Sequence, residues 1–423
     1  MGSYPNLKEC WRDNVDFISG KFKNLIEYKS GYTWSKDQES SIFLDDSVRV
    51  LTVTNIQEKL DLKSELYLTH VSNIDRERKA ASKGWSIAVS SNGNRKRIGN
   101  AIFIDDDTDY LFASFLTGFT PKDQCIILAK YFYFWLSSHS VQERITSVSE
   151  GTTGLGNLDI RFLRNMEIEY PHEIPEQKAI AGILSKLDEA TEAVEKSIKS
   201  AERLKISLMQ NLLTGKLKPD GTWRSENEFY VDEKFGKYPK DWSFSRFKDF
   251  AVLQRGKDLT DNDVISGPYP VVKSNGTNIN HATYFVEPPG VVTGRSGTIG
   301  KAFYITEQFW AHNTTLYVKN FKGNCEKYIY YLILRMDFRR YYAGTTVPTL
   351  NRNDIHRLKI AIPRTTEEQK EIVNIIDGCE SSLQKKHLKI HSLRTLKKSL
   401  MQNLLTGKVR VDVSKINEIL EGN

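Results

Sequence analysis

Two long stretches of the chain carry apolar or small residues at steps of three and four positions that alternate almost throughout. In the first stretch these residues are Ile180, Leu184, Leu187, Thr191, Val194, Ile198, Ala201, Leu204, Leu208 and Leu212. In the second stretch they are Ile376, Cys379, Leu383, Ile390, Leu393, Leu396, Leu400 and Leu404. This spacing predicts two long helices, each with a coiled-coil seam. Lys386 occupies the seam position that matches Val194.

Local signals predict where both helices begin and end. A Thr-Gly pair follows each seam, at 214–215 and 406–407, and glycine just beyond a helix can adopt the left-handed conformation that closes it. Pro175 suits the first turn of the first helix. Thr366 and Gln369 predict a capping box at the start of the second helix, with Thr366 as the cap. Each helix then spans about 38 residues, or about 55 Å.

Identical segments show that the two helices belong to an internal repeat. The ten residues SLMQNLLTGK occur at 207–216 and return unchanged at 399–408. Further matches are EQK at 176–178 and 368–370, FKNLIEYKSG at 22–31 with FKDFAVLQRG at 247–256, and GTTGLGNLDI at 151–160 with GTTVPTLNRNDI at 344–355. The repeated unit is therefore a globular domain followed by a long helix, and the globular parts differ in length and sequence.

The repeat predicts an α+β protein in which two globular α/β domains are separated by two long antiparallel helices that form a coiled coil. A helix of this length with an apolar seam needs a partner, and the other copy can supply it. The C-terminal tail and the N-terminal head together nearly match the internal linker in length, which favours a pseudo-two-fold circular arrangement over two repeats strung out in line. The predicted divisions are a first globular domain at 1–172, a first spacer helix at 173–215, a second globular domain at 216–363, a second spacer helix at 364–408 and a C-terminal tail at 409–423.

Composition and charge are those of an ordinary globular protein. Hydrophobic residues make up 39% and charged residues 27%, so the chain can bury sizeable cores. Sixty Lys and Arg against 53 Asp and Glu give a net charge of +7, which permits a nucleic-acid partner without requiring one. Four separated cysteines argue against zinc fingers and disulfides. The longest apolar run, at 125–136, is too short to span a bilayer and predicts a buried helix. Without an apolar signal stretch, we expect a cytoplasmic location.

No motif predicts catalysis, and we expect no catalytic, cofactor-binding or metal-binding residues. GRSGTIGKA (294–302) lacks one glycine and the Ser or Thr of a phosphate-binding P-loop, so it predicts a glycine-rich hairpin. EPPG (287–290) is not the Asn/Asp-Pro-Pro-aromatic motif of amino-methyltransferases. His387 and His391 share a helix face, but the sequence places no third metal ligand near them, which favours solvated histidines. DDDTD (105–109) indicates an exposed acidic turn.

Three polar loops, at 90–100, 273–282 and 293–301, combine the residue types that DNA recognition uses. Arg and Lys can pair with guanine and Asn and Gln with adenine, whereas phosphates are bound by Lys, Arg, hydroxyls and backbone N–H groups. Two GTT motifs, at 151–153 and 344–346, face phosphates or form tight turns. The predicted DNA-binding residues are Asn92, Asn94, Arg95, Lys96, Arg97, Thr152, Thr153, Lys273, Ser274, Asn275, Thr277, Asn278, Arg295, Ser296, Lys301, Thr345 and Thr346. Such polar clusters are also typical of plain turns, and the sequence does not separate base contacts from phosphate contacts.

The order of these motifs resembles the specificity subunit of a type I restriction–modification system. The resemblance is carried by the Pro-to-Gln start of each helix (171–177 and 363–369), the LLTG end (212–215 and 404–407), YPKDWSFSRFKDF (238–250) and the tract at 269–318. It implies that both globular domains are target-recognition domains, each contacting one half of a split, asymmetric DNA site. It also implies that the helix pair is a fixed spacer and the docking site for two methyltransferase subunits.

The same resemblance assigns the chemistry to partner subunits and makes double-stranded DNA the ligand of this chain, with no membrane partner. S-adenosylmethionine would bind the methyltransferase subunits, which methylate adenine N6, and ATP with Mg would serve a motor–nuclease (restriction) subunit. Two alternatives remain. A self-sufficient DNA-modifying enzyme with an unrecognised site would methylate DNA alone. A non-DNA protein scaffold would show no salt-dependent binding to a split site.

Overall fold

A computed structural model of the chain describes residues 11–12, 17–149, 155–336, 338, 342–343 and 349–414. The described α-helices are α1 (Phe22–Leu25), α2 (Asn73–Lys79), α3 (Ala129–Leu136), α4 (His139–Val148), α5 (Ile160–Asn165), α6 (Ile174–Leu212), α7 (Phe247–Phe250), α8 (Glu326–Arg335), α9 (Arg352–Arg357) and α10 (Thr366–Leu404). Helices α6 and α10 have 39 residues each and are the two long helices that the apolar spacing predicts.

The chain divides into two compact units. The first unit combines residues 1–194 with 389–423, and the second unit comprises residues 195–388. Each unit contains one globular lobe together with the beginning of one long helix and the end of the other. We call these the first lobe, residues 17–171, and the second lobe, residues 229–363.

The first unit contains fourteen strands among its described residues. They are β1 (Trp11–Arg12), β2 (Phe17–Lys21), β3 (Ile26–Ser30), β4 (Glu39–Ser40), β5 (Val48–Leu51), β6 (Tyr67–Leu68), β7 (Ser86–Val89), β8 (Ser91–Asn92), β9 (Ala101–Phe103), β10 (Leu111–Phe112), β11 (Leu116–Pro121), β12 (Gly156–Asn157), β13 (Glu167–Pro171) and, near the end of the chain, β27 (Arg410–Val411).

The second unit contains thirteen strands among its described residues. They are β14 (Phe229–Asp232), β15 (Gly236–Pro239), β16 (Trp242–Arg246), β17 (Val252–Arg255), β18 (Tyr269–Lys273), β19 (Gly276–His281), β20 (Gly290–Gly294), β21 (Ala302–Ile305), β22 (Trp310–Ala311), β23 (Thr315–Asn320), β24 (Tyr342–Ala343), β25 (Thr349–Leu350) and β26 (Lys359–Pro363).

The two lobes share one sheet topology despite their different sequences. The main antiparallel sheet has the order β3-β11-β7-β9 in the first lobe and β17-β23-β20-β21 in the second. A smaller sheet contains a parallel pair in each lobe, β10 with β5 and β18 with β22. The strand that leads into each long helix pairs with the strand that opens its lobe, β13 with β2 and β26 with β16.

A close backbone contact recurs at the same place in both lobes and requires glycine. Gly31 follows β3 and Gly256 follows β17. A Cβ atom at Gly31 would lie 2.0 Å from the carbonyl oxygen of Ala113, and one at Gly256 would lie 2.2 Å from that of His312. Any larger residue would push the chain away from its neighbour. The two glycines therefore mark equivalent positions and confirm that the segments at 22–31 and 247–256 are structural repeats.

Each hydrophobic core includes the start of one long helix and the end of the other. In the first unit, Ile180 and Leu184 of α6 and Leu404 of α10 are buried with the core of the first lobe. In the second unit, Leu212 of α6 and Ile376 of α10 belong to the core of the second lobe. Within each unit the two helices therefore run antiparallel, as the connectivity of the repeat predicts.

Ion pairs cross between the helices at repeat-equivalent positions. In the first unit, Lys397 Nζ lies 2.5 Å from Asp188 Oδ1. In the second unit, Lys205 pairs with Glu380. Near the helix midpoints, Lys386 Nζ donates a hydrogen bond of 2.6 Å to Ser197 Oγ, so a polar residue makes the contact at the position where α6 has the buried Val194.

Two of the predicted seam positions are wrong. Leu204 is 54% exposed and Leu396 is 47% exposed. The helical period after Ala201 leads to position 205, one residue further on. Lys205 and the equivalent Lys397 therefore occupy the seam, where their aliphatic stems pack and their ammonium groups reach a carboxylate. The two leucines are left on the solvent side.

The predicted capping box of α10 is also wrong. Thr365, not Thr366, is the cap, since its Oγ1 accepts a 3.3 Å hydrogen bond from Glu368 N–H. The Gln369 side chain does not reach back to the cap but crosses to the second lobe. Its Oε1 accepts from Cys325 N–H at 2.8 Å, and its Nε2 donates to the Pro363 carbonyl at 3.1 Å.

Gln177 makes the same connection at the start of α6. Its Oε1 accepts from Leu128 N–H at 2.8 Å, and its Nε2 donates to the carbonyls of Ile126 and Pro171, each at 2.9 Å. The glutamine of each EQK motif thus ties a long helix to the loop that precedes α3 or α8.

The glutamate of each EQK motif receives an arginine that follows the other long helix. In the first unit, Arg410 donates to both carboxylate oxygens of Glu176. In the second unit, Arg224 contacts Glu368 at 3.3 Å and Asp241 at 2.7 Å. These ion pairs hold the beginning of one helix beside the end of the other.

The C-terminal tail pairs with the N-terminal head within the first unit. Strand β27 runs antiparallel to β1, with Trp11 opposite Val411. In the second unit a single hairpin makes the comparable contact, as Leu217 bridges to Trp223. The tail therefore returns beside the head, as the circular arrangement requires. The finer division of the chain at 172, 215, 363 and 408 stays a prediction.

Candidate nucleic-acid interface

The sequence predicts a polar loop at 273–282, but the structure has only a two-residue turn at 274–275 between β18 and β19, and Thr277 and Asn278 lie in β19. Lys273 Nζ lies 3.7 Å from Asp261 Oδ1, whereas Asn275, Thr277 and Asn278 are exposed. Ser274 is buried, and its backbone N–H donates to Thr314 Oγ1 at 3.3 Å. Ser274 therefore anchors the loop, and the exposed amide and hydroxyl side chains beside it remain available to a ligand.

The second candidate loop joins β20 to β21 as the glycine-rich hairpin that the sequence predicts. Arg295 N–H donates to the Thr314 carbonyl at 2.8 Å, and Ser296 N–H donates to the same oxygen at 3.1 Å. Lys301 is exposed at the far side of the loop, where its carbonyl accepts from Thr293 Oγ1 at 2.8 Å. Burial and the neighbouring Arg255 lower the pKa of Arg295.

One short segment, residues 312–314, holds both loops together. Thr314 receives Ser274 through its hydroxyl and Arg295 through its carbonyl. His312 Nδ1 lies 2.9 Å from Thr314 Oγ1 and orients that hydroxyl. Burial and the charge of Lys273 lower the pKa of His312, which favours the neutral imidazole. The structure therefore brings two loops together that are separate in sequence.

The candidate loop of the first lobe forms a tight turn with two roles. Asn94 Oδ1 accepts from Lys96 N–H at 3.1 Å and caps the turn. Arg95 and Lys96 are exposed. Arg97 instead points into the protein, where its Nη2 donates to the carbonyls of Val53 and Ile56. Arg97 therefore holds a neighbouring loop in place, while Arg95 and Lys96 are presented to solvent.

Asn92 belongs to the same turn, since its Oδ1 accepts from Asn94 N–H at 2.8 Å. The four threonines of the GTT motifs, Thr152, Thr153, Thr345 and Thr346, lie outside the described residues. Their predicted contact with phosphates therefore stays a prediction.

Two cationic residues beside these loops were missing from the sequence prediction. Arg255 is the last residue of β17, and Arg352 is the first residue of α9. Both lie inside duplicated segments, at 247–256 and 344–355, so the repeat was the signal that could have drawn attention to them. Their proximity to Arg295 depends on sheet register, which the sequence does not specify.

The described residues offer polar and cationic groups for binding but few for chemistry. Among them, no group of three or more His, Cys, Asp or Glu side chains could hold a metal ion. No described helix is long and apolar enough to cross a membrane. The loops can donate charged and neutral hydrogen bonds to anions and to base edges.

The chain has two lobes of one topology, each with cationic loops, and both lobes are joined to a duplicated pair of helices. These features place it in the class of tandem-repeat recognition proteins. The family model described as "Type I restriction modification DNA specificity domain" matches residues 14–203 and 239–391. The chain belongs to this family and is the specificity subunit of a type I restriction–modification system. Its partners are accordingly DNA and other subunits of that system.

Two relatives carry names that agree with this assignment. The chain is 24% identical over 309 residues to the type I restriction enzyme MjaVIII specificity subunit of Methanocaldococcus jannaschii, covering 66% of this chain and 70% of the relative. The putative MjaX specificity subunit of the same organism is 24% identical over 299 residues, covering 66% and 68%.

The fold is similar to that of the type I restriction–modification S subunit from M. genitalium. The TM-score is 0.58 at 15% identity, over 93% of this chain and 97% of that one. A second solved structure, which concerns complex assembly and conformational transition of the type I system, gives a TM-score of 0.55 at 11% identity, over 93% and 98%. At these identities the likeness concerns the fold alone.

Proposed function

We propose that each lobe reads one half of a bipartite, asymmetric DNA site in the major groove and that the helix pair sets the spacing. The observation that carries this proposal is one topology used twice with different side chains at equivalent positions. Ser90 N–H and Arg295 N–H donate to equivalent carbonyls, of Phe115 and Thr314, yet one side chain is a neutral hydroxyl and the other a cation. Equivalent frames with unlike donors suit two different base sequences.

The two lobes can be tested separately through their exposed loop residues. The preferred split site of the wild-type complex is first selected from a random duplex library. The variant R95Q/K96Q should then lose selectivity at one half-site only, and N275A/N278A at the other. Arg97→Gln serves as the control for loop collapse, because Arg97 binds carbonyls of its own lobe. If either loop variant weakens both half-sites equally, the assignment of one lobe to each half-site fails.

We further propose that the long helices dock two methyltransferase subunits, one on each copy of the repeat. Four exposed or half-exposed residues form one stripe on α6, at steps of four, three and four: Ser200, Leu204, Ser207 and Asn211. The same four residue types, Ser392, Leu396, Ser399 and Asn403, form the equivalent stripe on α10. Packing within the chain does not require identity at exposed positions, and a shared partner surface accounts for it.

The docking proposal is tested with single and double leucine substitutions. Leu204→Ser and Leu396→Ser should each remove one of two methyltransferase subunits from the complex, and L204S/L396S should remove both. Analytical ultracentrifugation gives the stoichiometry. Ile206→Ser is the matched control, since Ile206 is 66% exposed but has Lys398 as its repeat equivalent. Retention of two subunits by L204S/L396S would exclude these stripes as the docking surface.

The partner subunits supply the chemistry in this proposal. S-adenosylmethionine binds the methyltransferase subunits, which methylate adenine N6, and ATP with Mg serves the motor–nuclease subunit. The proposed location is the cytoplasm, where such a complex meets chromosomal and incoming DNA. The chain incubated alone with S-adenosylmethionine and its target duplex should transfer no methyl groups. Turnover by the chain alone would reveal an enzyme.

A further inference from the structure

Three arginines of the second lobe converge at one end of its main sheet. Arg255, at the end of β17, pairs with Leu316 of β23. Thr293 of β20 pairs with the same Leu316 from the other side, and Arg295 lies two residues further along. The Arg295 carbonyl accepts from Leu350 N–H at 2.8 Å, and Arg352 begins α9 two residues after Leu350. We call Arg255, Arg295 and Arg352 the arginine cluster.

No residue of the arginine cluster forms an ion pair within the part of the chain that the structure describes. Arg295 Nη1 has only a long hydrogen bond of 3.4 Å to the Asn313 carbonyl, and Arg255 and Arg352 are exposed. Burial and the charge of Arg255 lower the pKa of Arg295. Cations that gather without a carboxylate attract an anion from solution.

A histidine connects the two elements that carry Arg352 and Arg255. His356 Nε2 accepts from Leu253 N–H at 2.9 Å and so links α9 to β17. Burial, then the charges of Arg352 and Lys248, lower the pKa of His356. Burial is the largest of these causes, and the two cations act in the same direction, so the neutral imidazole is favoured.

The fold itself does not require these arginines, because the first lobe has none at the equivalent positions. Gly31 N–H donates to the Leu116 carbonyl as Gly256 N–H does to that of Thr315, which makes Ser30 equivalent to Arg255. Leu158 N–H donates to the Ser90 carbonyl as Leu350 N–H does to that of Arg295. The first-lobe equivalents of the arginine cluster are Ser30, Ser90 and Ile160.

We propose that the arginine cluster is a DNA-phosphate site that clamps the backbone at the second half-site, so that the second lobe supplies more of the salt-dependent affinity than the first. This inference rests on the proposed function and adds the chemical group that these residues bind. Three guanidinium groups at one place suit one or two adjacent phosphates, whose oxygens accept paired N–H donors. A base edge would engage a single guanidinium reaching into the groove.

The test measures DNA affinity as a function of salt for R255Q/R352Q in the full complex. Arg295 is left intact because its side chain also binds the Asn313 carbonyl. Log K should fall less steeply with log salt, by about 0.9 per arginine removed. The change should be similar on the preferred split site and on an unrelated duplex, and base preference at the second half-site should be unchanged.

Two further variants make the test independent of folding defects. K319Q/K322Q removes two exposed lysines at the opposite end of β23 and should leave the salt slope unchanged. Ser30→Arg places an arginine at the exposed first-lobe equivalent of Arg255 and should steepen the slope by about 0.9. Thermal denaturation confirms that each variant remains folded.

Three outcomes overturn the inference. An unchanged salt slope for R255Q/R352Q means that no phosphate is bound there. Altered base preference at one half-site means that the arginines read bases. Lost methyltransferase binding with intact DNA affinity means that the cluster faces an acidic protein surface. If the wild-type complex selects no split site, the proposed function fails, and the salt slope on the unrelated duplex still decides whether the cluster binds phosphate.

Discussion

Single buried polar residues determine how each long helix leaves its lobe. Gln177 and Gln369 are 0% exposed, and each side chain bonds to the loop before α3 or α8 and to the strand before its own helix. Only an amide can accept one hydrogen bond and donate two at the same site. The glutamines thereby fix the direction in which a 39-residue helix departs from its lobe.

Replacement of either glutamine by glutamate should therefore destabilise its lobe. Gln369→Glu keeps the shape but replaces the donor of the Pro363 hydrogen bond with an acceptor. The free energy of unfolding should fall by about 2 kcal/mol or more, because a buried acceptor loses its partner. Chemical denaturation measures the change, with Lys370→Gln on the exposed neighbouring position as the control. A loss of under about 0.5 kcal/mol would contradict this role.

The glycine at the end of each helix has two constraints that can be separated. Gly215 has φ +68°, and a Cβ atom there would lie 2.3 Å from Pro239 Cγ. Gly221 has φ +86° with nothing within 4 Å of its Cβ position. Gly221→Ala should cost about 1 kcal/mol for the left-handed backbone alone. Gly215→Ala should cost clearly more because Pro239 must move. Equal losses on denaturation would show that the contact with Pro239 can relax freely.

At the scale of elements, helical periodicity, rather than the hydrophobicity of each residue, determines which side chains lie between the two long helices. The seam passes through Lys205 and Lys397 and bypasses the leucines that precede them. The lysines reach Glu380 and Asp188, so the register of the antiparallel pair is marked by charge within each unit. These pairs are half-exposed and stabilise the helices only modestly. Their main contribution is to fix which residues of α6 and α10 face each other.

Truncation of two leucines of α6 should lower the stability of the protein by very different amounts. Leu204 is 54% exposed, whereas Leu212 is 0% exposed in the core of the second unit. Leu204→Ala should change the free energy of unfolding by less than about 0.5 kcal/mol. Leu212→Ala should cost about 2–5 kcal/mol, because it leaves a cavity. Chemical denaturation of both variants checks which residues lie in the seam. A large loss of stability for Leu204→Ala would show that Leu204 is buried between the helices.

At the scale of the whole molecule, the chain repeats one unit of lobe and long helix, and in the first unit the two ends of the chain pair where the second unit has a continuous hairpin. The hairpin that carries Leu217 and Trp223 in the second unit corresponds to the pairing of β27 with β1, two separate ends of the chain, in the first. Arg410 and Glu176 reinforce that pairing. The tail is therefore part of the first unit's structure.

A four-residue insertion tests whether the helix pair sets the gap between half-sites. Placed after Thr191, it lengthens α6 by about 6 Å while α10 stays unchanged. The Lys397–Asp188 and Lys205–Glu380 pairs can then no longer form together, so specific binding should be lost or should move to a different gap. Selection from a random-gap duplex library measures the outcome.

A paired insertion provides the control for damage to the helices. Arg394 lies opposite Thr191, because each is three residues from the Asp188–Lys397 pair along its own helix. Insertions after Thr191 and before Arg394 keep the helices equal and in register, so binding should persist with a gap longer by about two base pairs, at ~3.4 Å per base pair. An unchanged preferred gap in both insertion variants would show that the helices do not set the spacing.

The amino-acid sequence alone predicted the two long helices from helical periodicity and the repeat from identity at a fixed offset. The lengths of the tail, head and linker favoured the antiparallel, circular arrangement. The sequence also indicated the hairpin at 293–301, since glycine marks turns. It placed a loop at 273–282, where the structure has a two-residue turn followed by β19. It did not distinguish Leu204 from Lys205 in the seam or Thr365 from Thr366 at the cap. Those choices depend on the exact helical phase and on which atoms lie within hydrogen-bond distance, and the residue types alone do not determine either.

Which of these residues lie together was decided by the tertiary fold. Residues 312–314 join two loops, Arg97 turns inward, and Arg255, Arg295 and Arg352 meet at one end of a sheet. Strand register sets these distances, and register arises from the packing of a whole face against its core. The sequence names the donors in each lobe, whereas the fold decides which of them can act on the same stretch of DNA.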